Sequence, residues 1–143
     1  MTICAQDREH LFGVVNDGKM VLNTCGTIVQ NVLESLPDHH PVILDENQIL
    51  PNHVHFVLGI SSPRKGVARY APTLGIITAG SLPSIVRSFK SECSKLIHVE
   101  SSNIRVWQRN YYEHIIRNEK ELNQIRQYIQ DNPMNWEKDE ENI

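Results

Sequence analysis

Apolar residues recur along this chain with two periods, one typical of strands and one typical of helices. Two short apolar runs flank Asp17-Gly18, a dipeptide that favours the tight primed turn of a β-hairpin. A stronger hairpin is predicted over residues 42–60, where runs rich in β-branched residues flank the turn dipeptide Pro51-Asn52. Further strands are predicted at residues 2–5 and 104–107.

Three segments carry apolar residues every three or four positions and are predicted to be amphipathic helices. The first begins at a cap residue, Asn23 or Thr24, and ends before Pro37, because proline breaks a helix. The second is predicted over residues 82–99. The third begins near Asn118-Glu119, where an Asn cap and acidic residues suit a helix N-terminus, and it ends before the next proline.

The order of these elements predicts a single α+β domain over residues 1–133, with an antiparallel sheet and helices packed on one face. Residues 61–81 are rich in Ser, Pro and Gly without a clear period, and they are predicted to form a flexible loop. Residues 134–143 are predicted to be a frayed acidic tail. Because Met1 already lies inside the first predicted strand, we expect that strand to be short and to expose a sheet edge.

Charge is distributed unevenly along the chain. The 143 residues include 14 Lys/Arg and 17 Asp/Glu, which give a net charge of −3. Residues 51–130 alone hold eleven Lys/Arg and five Asp/Glu, a net charge of +6. A basic middle segment is compatible with a phosphate-binding face, and equally with a solvated surface of mixed charge. Charge therefore permits a nucleic-acid partner without establishing one.

The cysteines and the apolar runs indicate the compartment. Cys4, Cys25 and Cys93 are odd in number and widely spaced, which fits neither a disulfide framework nor a zinc motif. We therefore expect free thiols in a reducing environment. No apolar run approaches the roughly 20 residues of a membrane span, and no signal-peptide pattern is present. These observations predict a cytoplasmic protein with no membrane partner.

Two histidines are the first candidates for chemistry. His53 and His55 are two residues apart on a predicted strand, so their side chains emerge on the same face, whereas Val54 points to the core. Two converging imidazoles make half of a metal site. Taken alone, such a pair is more often two incidental surface histidines than a metal site.

A second pair lies on the last predicted helix. Tyr128 and Asn132 are four residues apart and therefore share one helical face. The carboxamide oxygen of asparagine is a hard ligand suited to Mg²⁺ or Mn²⁺, and a tyrosine phenol can form a covalent intermediate. The alternative is a core tyrosine followed by an asparagine that closes the helix before proline.

Three stretches, taken together, resemble a known family. Pro51-Asn52-His53-Val54-His55 is similar to the histidine–hydrophobic–histidine (HUH) motif of single-tyrosine transposases. Residues 107–117, from Trp107 to Arg117, and residues 128–133, from Tyr128 to Pro133, are similar to later motifs of the REP-associated branch of that family. The resemblance covers nearly the whole chain and is weakest over residues 61–81.

The resemblance implies a ferredoxin-like α+β domain that acts on single-stranded DNA, often beside an imperfect hairpin. It implies His53, His55 and Asn132 as ligands of Mg²⁺ or Mn²⁺, and Tyr128 as the nucleophile. The tyrosine would exchange one phosphodiester for another, leaving a 5′-phosphotyrosyl link and a free 3′-OH, with no nucleotide cofactor. The implied activity is the DNA nicking and joining of transposition and DNA recombination. Members of the family include monomers and homodimers.

Other residues are candidates for contacts with DNA. Tyr111 and Tyr112 are rival nucleophiles, and aromatic packing or base stacking is the alternative for both. His114 is assigned to DNA binding, with the metal site or a structural role as alternatives. The candidates for phosphate contacts are Arg87, Lys90, Arg109 and Arg117.

Two other functions are consistent with the same residues. A non-catalytic relative of transposases would bind DNA hairpins with a strong salt dependence and without cleavage. A metal-dependent phosphoesterase would use water in place of tyrosine and form no covalent intermediate. The position of Tyr128 four residues before Asn132 favours the tyrosine mechanism.

Overall fold

A computed structural model of the chain describes residues 1–61, 68–69 and 82–142. Its strands and helices, in chain order, are β1 (Thr2–Cys4), β2 (Gly13–Asn16), β3 (Lys19–Leu22), α1 (Thr24–Glu34), α2 (Leu36–His39), β4 (Val42–Leu50), β5 (His53–Ser61), β6 (Ala68–Arg69), α3 (Leu82–His98) and α4 (Glu119–Asp131). The predicted flexible loop lies outside the described residues, except for Ser61 and the two residues of β6. Within the described ranges, no helix combines the length and the apolar character needed to cross a membrane.

Local sequence signals set the bounds of several elements as predicted. Asn23 caps α1 by accepting a hydrogen bond from the backbone N–H of Gly26 at 2.8 Å. Asn118 caps α4 in the same way, with the N–H of Glu121 at 2.8 Å. Asp17-Gly18 has φ angles of 51° and 73°, as a primed turn between β2 and β3 requires. The predicted caps and the first hairpin are therefore confirmed.

Strand β5 is the centre of the main antiparallel sheet. It pairs with β4 along one edge, and with β1 and then β6 along the other. The outer edge of β1 is also covered, because Thr2 and Tyr112 exchange backbone hydrogen bonds of 2.8 and 2.9 Å and Ala5 bridges Trp107. The expectation of an exposed edge at β1 is therefore wrong. The strand predicted over residues 104–107 is reduced to this bridge.

The main core lies on one face of the sheet. Successive side chains of β5 point to opposite faces, and Val54 and Phe56 point to the face covered by α1 and α3. Leu33 of α1 and Phe89 of α3 are fully buried there. The rings of Phe56 and Phe89 lie 5.8 Å apart in a tilted arrangement. This core aligns β5 and thereby fixes which face its odd-numbered residues occupy.

Helix α4 covers the opposite face of the sheet. Val57 of β5 packs there against Leu122 and Ile129. The guanidinium of Arg126 donates hydrogen bonds of 2.6 and 2.5 Å to the carboxylate of Asp45, at the bulge in β4. The predicted α+β class with an antiparallel sheet is confirmed, but the expectation that the helices pack on one face only is wrong, because α4 has its own apolar contacts on the other face. The structure adds that α1 and α3 share one face while α4 occupies the other.

The C-terminal segment, residues 133–142, folds back onto the domain. Trp136 is only 8% exposed, and its carbonyl accepts a hydrogen bond from the side chain of Asn142 at 3.0 Å. The side-chain amide of Asn52 donates a hydrogen bond of 2.5 Å to the carbonyl of Glu141. The expectation of a frayed tail is therefore wrong, because a buried aromatic ring and hydrogen bonds anchor this segment.

Candidate active site

His53 and His55 converge on the face of the sheet that α4 covers. Both imidazoles are buried, and their Nε2 atoms lie 3.1 Å apart. The ring planes are nearly perpendicular, with centroids 4.6 Å apart. The strand alternation predicted this shared face, and the pairing of β5 with both β1 and β4 holds it rigid.

The hydrogen bonds of Asn52 determine the proton position on His53. The amide nitrogen of Asn52 donates to the backbone carbonyls of Arg8 at 3.3 Å and Glu141 at 2.5 Å. The amide oxygen therefore faces Nδ1 of His53, at 2.7 Å. Because this oxygen can only accept, Nδ1 carries the proton, and Nε2 of the neutral ring presents a lone pair.

Thr2 supports the second histidine from β1. Its hydroxyl lies 2.8 Å from Nδ1 of His55. A hydroxyl both donates and accepts, so either tautomer of His55 is satisfied at that position. The second ring therefore keeps a good partner whether its Nε2 donates to His53 or presents a lone pair to a cation.

Both histidines are neutral at neutral pH. Burial, with a further contribution from the charge of Arg8, lowers the pKa of His53 to about 4. Burial also lowers the pKa of His55 to about 3, and the neighbouring His53 acts in the same direction. Neutral imidazole is the form that binds metal ions, so the site carries the protonation state that a ligand pair requires.

The arrangement of the nitrogens fits a metal ion. Two ligand atoms at about 2.1 Å from one ion, at right angles to each other, lie about 3.0 Å apart. The Nε2 atoms of His53 and His55 are separated by 3.1 Å. A carboxylate also approaches, because Oδ2 of Asp139 lies 3.7 Å from Nε2 of His53. Ligand atoms of these three residues all lie within 4.8 Å of one another.

Sequence reasoning missed Asp139. Residues 131–143 contain five acidic residues, and none of them has a local pattern that distinguishes it from a solvated tail. One usable signal was Trp136, because a tryptophan in a polar tail favours packing over fraying. In the structure its ring stacks on His53, with centroids 5.9 Å apart and an interplanar angle of 29°.

The predicted nucleophile reaches the same site. Tyr128 projects from α4 with its ring edge-on to His55, and the ring centroids are 5.6 Å apart. Its side chain is 57% exposed, so the phenol is open to an incoming molecule. His55 and Tyr128 line an apolar cleft of about 380 Å³, together with Ile125 and Ile129.

Asn132, the predicted third ligand, forms the C-terminal cap of α4. It is 3% exposed, and among the described residues its Oδ1 is buried without a hydrogen-bond partner. A buried amide oxygen without a partner is unfavourable in a folded protein, and a bound cation would relieve that cost. Its role as a ligand stays a prediction.

The rival tyrosines make other contacts. Tyr112 uses its backbone to pair with Thr2, while its side chain is exposed. The ring of Tyr111 lies 5.8 Å from Nζ of Lys90 on α3, in a cation–π contact. Burial raises the pKa of the Tyr111 phenol. The contact of Tyr111 fits the packing role that the sequence left open for it.

Lys90 has a structural role that the sequence did not predict. Its ammonium donates to the carbonyls of Gln108 at 2.8 Å, Arg109 at 3.3 Å and Asn110 at 3.3 Å. Partial burial lowers its pKa. An ammonium has three N–H donors, and these contacts occupy all of them. The predicted phosphate contact would have to displace them, so we assign Lys90 to holding the segment after α3.

We expect Lys90→Met to lower the free energy of unfolding by about 1–3 kcal/mol, because three carbonyls lose a charged donor. Urea denaturation measures this loss. Arg87→Met is the matched control, since Arg87 is an exposed cation on the same helix, and it should change stability by less than about 0.5 kcal/mol. Equal stability of the two variants would contradict the structural role of Lys90.

The remaining cationic candidates form two groups. Arg87 and Arg109 are exposed and line a groove beside α3, on the far side of the sheet from the histidines. His114 contacts the carboxylate of Glu121 near the start of α4, and the same carboxylate accepts from the backbone N–H of Arg117 at 3.2 Å. The DNA contacts of these four residues, Arg87, Arg109, His114 and Arg117, stay predictions.

The chain is similar to two proteins of Haemophilus influenzae. It is 40% identical over 149 aligned residues to an uncharacterized protein, and the alignment covers 98% of this chain and 82% of that protein. It is 30% identical over 97 residues to a putative REP-associated tyrosine transposase. That alignment covers 68% of this chain but only about half, 52%, of the relative. No protein-family model matches the chain.

The fold is similar to a solved structure of a REP-associated tyrosine transposase bound to a REP hairpin. The TM-score is 0.63 at 20% sequence identity. The match covers 94% of this chain and 65% of the solved chain. At this identity the match establishes a shared fold.

Proposed function

We propose that this protein cleaves and rejoins single-stranded DNA through Tyr128, beside a divalent metal ion held by His53 and His55, as a REP-associated tyrosine transposase. The observation that carries the proposal is the contact between the Tyr128 ring and His55, with centroids 5.6 Å apart. A histidine pair on a strand and an exposed tyrosine on a helix, 73 residues apart in sequence, meet on one face of the sheet.

The proposed reaction exchanges one bond to phosphorus for another. The phenol oxygen of Tyr128 would form a bond to phosphorus while the bond from phosphorus to the 3′ oxygen breaks. The phenol proton is released, and the departing 3′ oxygen takes up a proton, so a 5′-phosphotyrosyl link and a free 3′-OH remain. Attack by a 3′-OH on that link reverses the step and rejoins DNA. One phosphodiester replaces another, so no nucleotide cofactor is needed.

His53 and His55 would hold the ion, with Asn132 as a further ligand. A divalent ion there supplies positive charge to the scissile phosphate and lowers the barrier to attack by a phenol of pKa near 10. Asn52 and Thr2 keep the imidazoles oriented by hydrogen bonds to Nδ1. Such outer hydrogen bonds sustain both the affinity and the geometry of metal sites.

The proposed substrate is DNA that contains a hairpin. One relative bears the name of a REP-associated tyrosine transposase, and the solved structure with the same fold is bound to a REP hairpin. The net charge of +6 over residues 51–130 supports a polyanionic partner. Tyr128 lies beside an apolar cleft of about 380 Å³, and the exposure of its side chain leaves the phenol accessible to a strand.

The proposal is tested with end-labelled single-stranded oligonucleotides that carry an imperfect hairpin. Incubation with Mg²⁺ or Mn²⁺ should give a protein–DNA adduct that survives denaturing electrophoresis, together with a shortened strand ending in 3′-OH. A chelator should abolish both products. Cleavage without an adduct would identify a phosphoesterase that uses water. Salt-dependent binding without cleavage would identify a non-catalytic hairpin-binding protein.

A further inference from the structure

We propose that Asp139, carried by the C-terminal segment of residues 133–142, is a ligand of the metal ion. The inference rests on the proposed histidine site and adds a residue to it from a part of the chain that is remote in sequence. It assigns the segment a function in the chemistry of the site, in addition to its packing.

The carboxylate of Asp139 is aimed at the histidines. One of its oxygens, Oδ1, accepts a hydrogen bond of 2.8 Å from the backbone N–H of Glu141. The other, Oδ2, lies 3.7 Å from Nε2 of His53. The side chain is 3% exposed, and among the described residues Oδ2 is buried without a hydrogen-bond partner. One oxygen is therefore fixed by the backbone, and the other is directed into the site.

A cation between Nε2 of His53 and Oδ2 of Asp139 would be favourable. Asn52 holds the proton of His53 on Nδ1, so the lone pair of Nε2 faces the negative oxygen of Asp139. Two electron-rich atoms in a buried space disfavour each other, and an unpaired buried carboxylate is costly. The nearby arginine, Arg8, pairs with Glu141 at 3.2 Å. A divalent ion satisfies both atoms at once, with nitrogen and carboxylate donors that transition metals accept.

Several contacts position Asp139. Trp136 stacks on His53 three residues before it. Glu141, two residues after it, receives a hydrogen bond from Asn52 on its carbonyl and forms the ion pair with Arg8 on its side chain. His53 and Asn52 therefore contact both the histidine pair on β5 and the C-terminal segment that carries Asp139. Binding of an ion by Asp139 should in turn stabilise the fold of residues 133–142, because binding and ordering are linked.

The test compares Asp139→Asn with Glu140→Gln. Each substitution replaces one carboxylate by an amide, and Glu140 is the exposed neighbour of Asp139. Titration calorimetry with Mn²⁺ alone measures affinity. We expect Asp139→Asn to weaken binding at least about 10-fold and Glu140→Gln to leave it unchanged. Without metal, Asp139→Asn should have a Tm equal to or above that of the wild type, because it removes a buried unpaired charge. The loss of affinity then cannot be ascribed to unfolding.

Hydrogen exchange gives a second readout. Mn²⁺ should slow exchange of backbone amides in residues 133–142 of the wild type and of Glu140→Gln, but not of Asp139→Asn. If Asp139→Asn binds Mn²⁺ as tightly as the wild type while His53→Ala does not, the role of Asp139 is refuted and the histidine site stands. If the wild type binds neither Mn²⁺ nor Mg²⁺, the histidine site and the role of Asp139 fail together.

Discussion

Replacing Tyr128 with phenylalanine is expected to lower formation of the covalent protein–DNA adduct by at least about 10³-fold, because the substitution removes the only atom that attacks phosphorus. The phenylalanine ring keeps its edge contact with His55. The side chain is 57% exposed, so little packing is lost and the fold should be retained. The adduct is quantified on denaturing gels with labelled hairpin oligonucleotides, and binding of the same DNA is measured in parallel and should be unchanged.

Tyr111→Phe and Tyr112→Phe are the matched controls for this experiment. Each removes one phenol oxygen from a neighbouring tyrosine, and neither ring is described in contact with the histidines. Both variants should form the adduct at close to the wild-type rate. An adduct that persists in Tyr128→Phe and disappears in either control would reassign the nucleophile. Loss of the adduct in all three variants would point to a general loss of DNA binding instead.

A second large effect is expected from acid on the metal-free protein. The folded-state pKa values of about 4 for His53 and about 3 for His55 lie below the ordinary value of 6.5. As pH falls, the unfolded chain therefore takes up protons that the folded chain excludes. The stability that the neutral histidines contribute is complete above about pH 6.5, and it is lost as pH falls towards 4.

The size of this acid effect follows from the number of protons that the unfolded chain binds in excess of the folded chain. Each such group lowers the free energy of unfolding by up to about 1.4 kcal/mol per pH unit. Because the unfolded imidazoles are only half protonated at pH 6.5, the two histidines together amount to a loss of about 3 kcal/mol between pH 6.5 and 5, a large share of the 5–15 kcal/mol typical of a domain. Urea denaturation in the presence of a chelator, repeated from pH 7.5 to 5, measures the slope.

Variants assign the slope to these two histidines. His53→Gln with His55→Gln should flatten the dependence over this range, even if it lowers stability at pH 7. Tyr128→Phe is the matched control, because it alters a neighbour of His55 while both imidazoles remain, and it should keep the wild-type slope. An unchanged slope in the double variant would contradict the assignment of neutral, buried imidazoles.

Much of the local structure was predictable from the sequence. The Asn caps of α1 and α4, the Asp17-Gly18 turn and the pairing of β4 with β5 depend on residues within a few positions of one another. The shared face of His53 and His55 follows from the period of a strand. The spacing of Tyr128 and Asn132 follows from the period of a helix.

The assembly of the site was decided by contacts that have no local pattern. Asp139 lies 86 residues after His53, and only the stacking of Trp136 and the hydrogen bond from Asn52 bring it there. Likewise, the apolar stripe of α4 did not specify which face of the sheet it covers. The ion pair of Arg126 with Asp45 and the packing on Val57 hold it on the histidine face.

The sequence by itself determined which chemical groups this protein has and how each is oriented on its own strand or helix, because period and capping act over one or two turns of chain. Tertiary structure alone decided that Lys90 binds carbonyls, that the C-terminal segment packs, and that Asp139 joins the histidines. These outcomes depend on burial and hydrogen bonding between distant segments, where a residue's partners exist only after the chain has folded.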